Sequence, residues 1–228
     1  MPTKIEYLDE TWNPWVGCSG EGCAVKDNCW ARRMAGRIYS GTDFNKVRYF
    51  PERLGIPLRW KKPRRIGVGW MGDIGGTSFR YARKIMRICR RCPQHTFLFL
   101  TKQTWFFDLF GLRPLPDNCW LGFSYTGTQK EALVQPGFYF LMRYCGNLRY
   151  VSFEPLLEWN KRIVEIINWV DWVIVGAETC NGRLVKEHAP KREWIEEIVG
   201  ECRKRGKPVF LKDNLREIWG SELMQEMP

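Results

Sequence analysis

Six short apolar runs punctuate this 228-residue chain, with helix-length segments between them. "RRIGVGWMGD", "HTFLFLTK", "CWLGFSYT", "RYVSFEP", "DWVIVGAE" and "PVFLKDN" are each compact enough for one buried strand. "SFRYARKIMRICRRC", "KRIVEIINWV" and "KREWIEEIVGECRKRG" have helical potential, and the last ends at Gly206, where a C-terminal cap belongs. Buried strands alternating with helices predict an α/β fold whose parallel strands come from βα units. With a further strand at "ETWNPWV", the set suits a partial or full (β/α) TIM-like barrel; a doubly wound open sheet is the competing topology.

No low-complexity stretch, flexible linker or close repeat interrupts the pattern, so a single domain over 1–228 is the simplest organisation. It carries a cysteine loop at 18–29 and, from about 39 to 63, an excursion rich in aromatic residues, Arg and Pro that reads poorly as one regular element. With 44% hydrophobic and 27% charged residues, the chain has ample material for a core. No run approaches the length of about 18 apolar residues that a membrane helix needs, and "MPTKIEYLDETW" lacks a secretory apolar stretch. The expectation is a cytoplasmic protein with no membrane partner. In a reducing compartment the nine cysteines read as ligands or buried thiols rather than disulfides. A net charge of +11 favours a polyanionic partner, though a basic, soluble surface would carry it too.

Each apolar run ends in a polar group: Asp73, Lys102, Ser124 with Thr126, Glu154, Glu178, and Lys212 with Asp213. In parallel α/β folds this is the edge where sites are built, although strands commonly end in polar loop residues. Glycines in "VGWMGDIGG" would let backbone approach a ligand, and a tight βα turn would need the same residues. Lys102 and Lys212 are suited to a carboxylate or phosphate, or to ion pairs with Glu154 or Glu178.

Near the N-terminus, Cys18, Cys23 and Cys29 form a C-x4-C-x5-C loop ending at a helix start, "NCWARRMAGR". Three thiolates do not close a structural zinc site, which takes four Cys or His ligands. His95 and His188 are distant in sequence, and Cys119, Cys180 or Cys202 would have to fold back. Three cysteines can instead hold three irons of a [4Fe-4S] cluster and leave the fourth iron open.

The three-cysteine loop, the aromatic Trp30 directly after Cys29, and the βα units that follow resemble the radical S-adenosylmethionine superfamily. "TWNPWVGC", "NCWARRM", "YFPERLGIPLRWKKPRRI", "LTK", "WLGFSYT", "SFEPLL" and "WVIVGAE", spanning Thr11 to about Lys212, resemble more closely a group of phage- and prokaryote-associated three-cysteine proteins related to spore photoproduct lyase. The common superfamily spacing is shorter, and Asn28 stands where an aromatic residue usually precedes the last cysteine.

The resemblance implies a partial barrel, a cluster on Cys18, Cys23 and Cys29, and S-adenosylmethionine at the open iron. Reductive cleavage of that cofactor, with an electron donor, would then abstract hydrogen from a substrate. It further implies cofactor contacts at Trp30, Asp73, Lys102, Ser124, Glu154, Ile174, Gly176, Glu178 and Lys212, with Ile174 and Gly176 beside adenine. Apolar packing would select the same residues on that strand. In this reading Cys180 can give a hydrogen atom to a substrate radical; otherwise it is a small buried residue.

Basic and aromatic residues alternate in "IYSGTDFNKVRYFPERLGIPLRWKKPRR", which suits phosphates and exposed bases, as well as a basic loop anchored by its rings. A nucleic acid or nucleotide is the expected substrate, and a partner protein can complete the site. Two other functions fit: a zinc-stabilised nucleic-acid-binding module, and a barrel hydrolase using Asp73, Glu154 and Glu178 as acids and bases.

Overall fold

The computed structural model describes residues 3–20, 23–41, 43–103, 115–129, 146–220 and 222–228. Seven strands form one sheet in sequential order, without the reversal of a doubly wound sheet, and this is the arrangement of a partial (β/α) barrel. The chain divides into two compact units, Met1–Leu121 and Gly122–Pro228. The boundary falls within the sixth strand. Among the described residues no helix is long and apolar enough to cross a membrane.

The first unit begins with β1 (Glu10–Trp12), β2 (Trp15–Val16), α1 (Trp30–Ile38) and β3 (Arg48–Tyr49). It continues with β4 (Arg65–Val68), α2 (Phe79–Arg91), β5 (Thr96–Thr101) and the start of β6 (Cys119–Ser124). β1 and β5 flank β4 in parallel, with Trp12 opposite Val68 and Phe97 opposite Ile66. The excursion contains β3, which pairs antiparallel with β2, followed by 3-10 turns at Pro51–Arg53 and Pro57–Arg59. Residue 42 of that segment, and residues 21–22 of the cysteine loop, lie outside the described residues.

α2 starts at Ser78, whose hydroxyl accepts the Tyr81 amide at 3.3 Å. It buries Tyr81, Ala82, Ile85, Met86 and Cys89 on one face. The other face carries cations at helical neighbour positions: Arg80 with Lys84, Arg83 with Arg87, Arg87 with Arg91. Each such like-charge pair costs about 0.2–0.5 kcal/mol. Burying one large apolar side chain gains about 1.5–3 kcal/mol, so packing carries the helix despite its charge.

The second unit holds the end of β6, then β7 (Arg149–Phe153), α3 (Lys161–Trp169) and β8 (Trp172–Val175). The short strands β9 (Thr179–Cys180) and β10 (Arg183–Leu184), α4 (Arg192–Lys204) and β11 (Val209–Leu211) follow. β8 lies in parallel between β7 and β11, with Val173 facing both Val151 and Val209, and all four of its residues are buried. α4 ends in a Schellman motif: the Lys207 amide reaches the Cys202 carbonyl at 3.0 Å and the Gly206 amide reaches that of Arg203. Gly206 takes φ +61° there, a left-handed value that glycine adopts without a Cβ penalty.

Candidate functional site

The cysteine loop is attached at both ends. Gly17 donates its amide to Met71 at 3.0 Å and forms a parallel bridge with Gly72, just beyond β4. A Cβ on Gly72 would lie 2.6 Å from the Gly17 carbonyl oxygen, so this approach needs glycine. Cys18 then donates its amide to the Phe44 carbonyl at 2.8 Å. At the far end, Cys29 occupies the N-cap position of α1, and its thiol makes no cap hydrogen bond. Between the ends, the Cys23 amide donates to the Gly20 carbonyl, and turns run from Cys23 to Lys26 and from Lys26 to Cys29.

Cys18 and Cys29 are half-buried against a small core of Val16, Ala31, Ala35, Phe44, Phe50 and Met71. Burial pushes the Cys18 thiol up to about 11; Asp73, Cys23 and Cys29 push the same way, while the Gly20 amide opposes them. The Cys18 sulfur accepts that amide at 3.3 Å. The three thiols and Asp73 therefore share one electrostatic neighbourhood. Among the described residues, no three Cys, His, Asp or Glu side chains converge on a single ion. A cubane differs from a single tetrahedral ion because each thiolate binds its own iron, which sets the sulfurs farther apart.

Asp73 stands five residues beyond β4, at the start of the 3-10 turn Ile74–Gly76. Its Oδ1 accepts the Thr101 hydroxyl at 2.5 Å and the Gly75 amide at 2.8 Å, and its Oδ2 accepts the Lys102 amide at 2.8 Å. Burial raises its carboxyl above the ordinary value, although all these donors and the Lys102 charge pull it down. Thr101 and Gln103 belong to this cluster. Gln103 bonds the Thr101 hydroxyl through its amide and reaches the Ser19 hydroxyl at 3.5 Å, linking the end of β5 to the thiol loop. The Lys102 side chain is exposed, as is the Trp30 ring at the start of α1.

In the second unit the ends of β7, β8 and β11 meet. Lys212 Nζ donates to Glu154 Oε1 at 2.6 Å, so the ion-pair alternative for these residues is realised. A Cβ on Gly176 would come within 3.0–3.1 Å of the Glu154 side chain, so the glycine keeps that space open. Ile174 is wholly buried and faces Ser152 and Phe210 across the sheet. Ser124 is buried at the end of β6, and its carbonyl accepts the Gln129 amide at 3.4 Å. Asn214 clamps Ala177 by exchanging two hydrogen bonds of 3.0 Å with its backbone.

Glu178 is buried, and its Oε2 lies 2.5 Å from His188 Nδ1. His188 is therefore a polar neighbour of a strand-end acid. Cys180, half-buried, lies on β9 opposite Arg183. The two strands are joined by Asn181 and Gly182, both at positive φ, as a two-residue hairpin of primed type requires. An Asn-Gly pair between short β-prone residues is the sequence signal for this hairpin.

The other cysteines among the described residues sit elsewhere. Cys89, Cys92 and Cys119 are buried together around the end of α2, where burial and contact with Cys119 hold the Cys89 thiol neutral. Asn118 donates to the Cys89, Cys92 and His95 carbonyls at 2.9–3.1 Å and closes that helix end. His95 is buried, with Nε2 at 3.2 Å from the Pro57 carbonyl. Cys202 is buried on α4.

No curated protein and no solved structure matches the chain significantly. A family model does, over residues 2–225, under the description "Protein of unknown function (DUF5131)". That match covers nearly the whole chain, which therefore belongs to the DUF5131 family.

Proposed function

We propose that this protein is a radical S-adenosylmethionine enzyme whose Cys18, Cys23 and Cys29 hold a [4Fe-4S] cluster, and that its substrate is a nucleic acid or nucleotide. The observation carrying the proposal is the thiol loop itself. It is pinned beside β4 by Gly17 and Gly72, and it gathers three thiols that share no disulfide and cap no helix. Burial and the nearby Asp73 disfavour the free Cys18 anion, and a cationic iron centre offsets that cost.

When bound, such a cluster supplies the single electron that cleaves S-adenosylmethionine and starts hydrogen abstraction from a substrate. The chain's own residues bind and orient. Asp73 has one carboxylate lone pair beyond its three donors, suited to an ammonium or ribose hydroxyl. Gly176 leaves room over Glu154, whose carboxylate Lys212 holds in place. Cys180 on its hairpin supplies a half-buried thiol as hydrogen donor. Electrons come from an external donor.

A zinc-binding module needs four converging ligands, and among the described residues no three converge on one ion. The test is anaerobic purification with iron and sulfide analysis, then electron paramagnetic resonance of the reduced protein with and without S-adenosylmethionine. About four irons per chain and a signal altered by the cofactor are expected. Stoichiometric zinc, or a cluster indifferent to the cofactor, would overturn the reading.

A further inference from the structure

Six cations are exposed on α2, which contains no acidic residue, and five of them, Arg80, Arg83, Lys84, Arg87 and Arg91, recur at helical spacing along its outer face. Among the described residues none of the five has a carboxylate partner. Helix electrostatics do not account for them. Of these five, Arg91 alone shares the last turn with Arg90, where the dipole favours a cation; Arg80 lies in the first turn, where it is opposed. The 3-10 turn Pro57–Arg59 packs against this helix and is held there by the His95 contact and by Gln94, which donates to the Trp60 carbonyl at 3.3 Å. Exposed Arg59, Lys61 and Lys62 thus stand beside the same helix.

At 1.5 Å per residue, Arg80 to Arg91 spans about 16 Å, the length of about five phosphates along one strand of a duplex. An anionic membrane is the poorer match. An interfacial helix lays its apolar face in the lipid, and that face of α2 is already spent in the core. From this charge complementarity we infer that the outer face of α2 is a docking surface for the phosphate backbone of a nucleic acid. This deepens the nucleic-acid part of the function proposed above and does not depend on the cluster.

The test is fluorescence anisotropy of the full chain with labelled DNA and RNA, single-stranded and duplex, titrated across salt concentrations. The R80Q/R83Q/R87Q variant should bind about tenfold or more weakly and flatten the slope of log affinity against log salt by about 2–3 units. R80K/R83K/R87K should restore both. R192Q/R203Q/K204Q, which removes three charges from α4, should leave the slope unchanged. Glutamine is a good helix former and relieves repulsion, so an unaltered circular dichroism melt is expected for the first variant. Equal losses from both glutamine variants would make net charge the cause and overturn the assignment. So would absence of binding to every probe at low salt, or α2-dependent binding of phosphatidylserine vesicles without nucleic-acid binding. Iron content reads the radical reading separately: α2-dependent binding by a protein without iron would sink that reading and leave this surface standing.

Discussion

Asp73 and Glu178 are buried to nearly the same extent, 7% and 6% exposed, and each lies a few residues beyond the end of a sheet strand, yet the two units hold them by different means. Asp73 is fastened by a hydroxyl and two backbone amides, all supplied by the turn and the neighbouring strand. Glu178 faces an imidazole, and Glu154 beside it faces an ammonium group. Backbone donors stay in place whatever the side chains become. A side-chain partner can be removed by one substitution, leaving its carboxylate without that contact. The first arrangement fixes its carboxylate through the backbone, and in the second the hold on each carboxylate depends on one side chain.

The largest effect that would sharpen this contrast concerns metal. With the proposed cluster in place, C29S should lower iron from about four per chain to near background, whereas C202A in the second unit should leave iron unchanged; equal loss in both would remove the special standing of the loop. Next, D73A strips the partner from three donors at once. It should cost about 3 kcal/mol or more in urea unfolding, since each buried unpaired polar group costs about 1–3 kcal/mol. A loss below 1 kcal/mol would mean that water takes over and that this hold is weak.

K212M should cost about 1–3 kcal/mol, and K212M/E154Q should recover part of it, because the expense lies in the orphaned carboxylate. Strict additivity in that cycle would break the pairing argument. G176A should cost about 1 kcal/mol through the crowding of Glu154, and nearly nothing in an E154A background. An equal penalty in both backgrounds would trace it to the sheet instead.

The smallest effect is one of pH. Burial raises the Asp171 carboxyl, but hydrogen bonds and charge from Arg149 outweigh it and leave it below the ordinary aspartate value. Its stabilising share is therefore full above the unfolded-state value and lost as pH falls through the folded-state value. Asp73, raised by burial, has the opposite sign: its share is full below the unfolded-state value and lost as pH rises through the folded one. With its side chain 40% exposed, Asp171 should give D171N a deficit of a few tenths to about 1 kcal/mol at neutral pH that vanishes in acid. A deficit constant with pH would refute the assignment.

The seven sheet strands were legible because parallel strands covered on both faces leave continuous apolar text, as in "WVIV" and "TFLFLT". The pairs β2 with β3 and β9 with β10 were not, since two residues carry no period, although Asn181-Gly182 marked the second. The cysteine loop was visible as composition, and Lys212 with Glu154 as an open alternative. The His188 contact with Glu178 was hidden. It spans ten residues through a hairpin and a turn, and nothing in their order says that the chain doubles back. Thr101 escaped for another reason: a threonine ending a strand is ordinary until a buried carboxylate is found 2.5 Å away.

The thiol loop leaves the fold through Gly17, stitched to Gly72, and re-enters at Cys29, where α1 begins. The points of attachment lie at the two ends of the stretch that sets cysteine spacing. A residue added or deleted between Cys18 and Cys29 therefore alters the spacing of the thiols without shifting the register of β1 on β4. Spacing is thus an independent dial on this scaffold, and a C-x4-C-x5-C loop exchanges for a shorter one at the cost of a local turn rather than of a sheet.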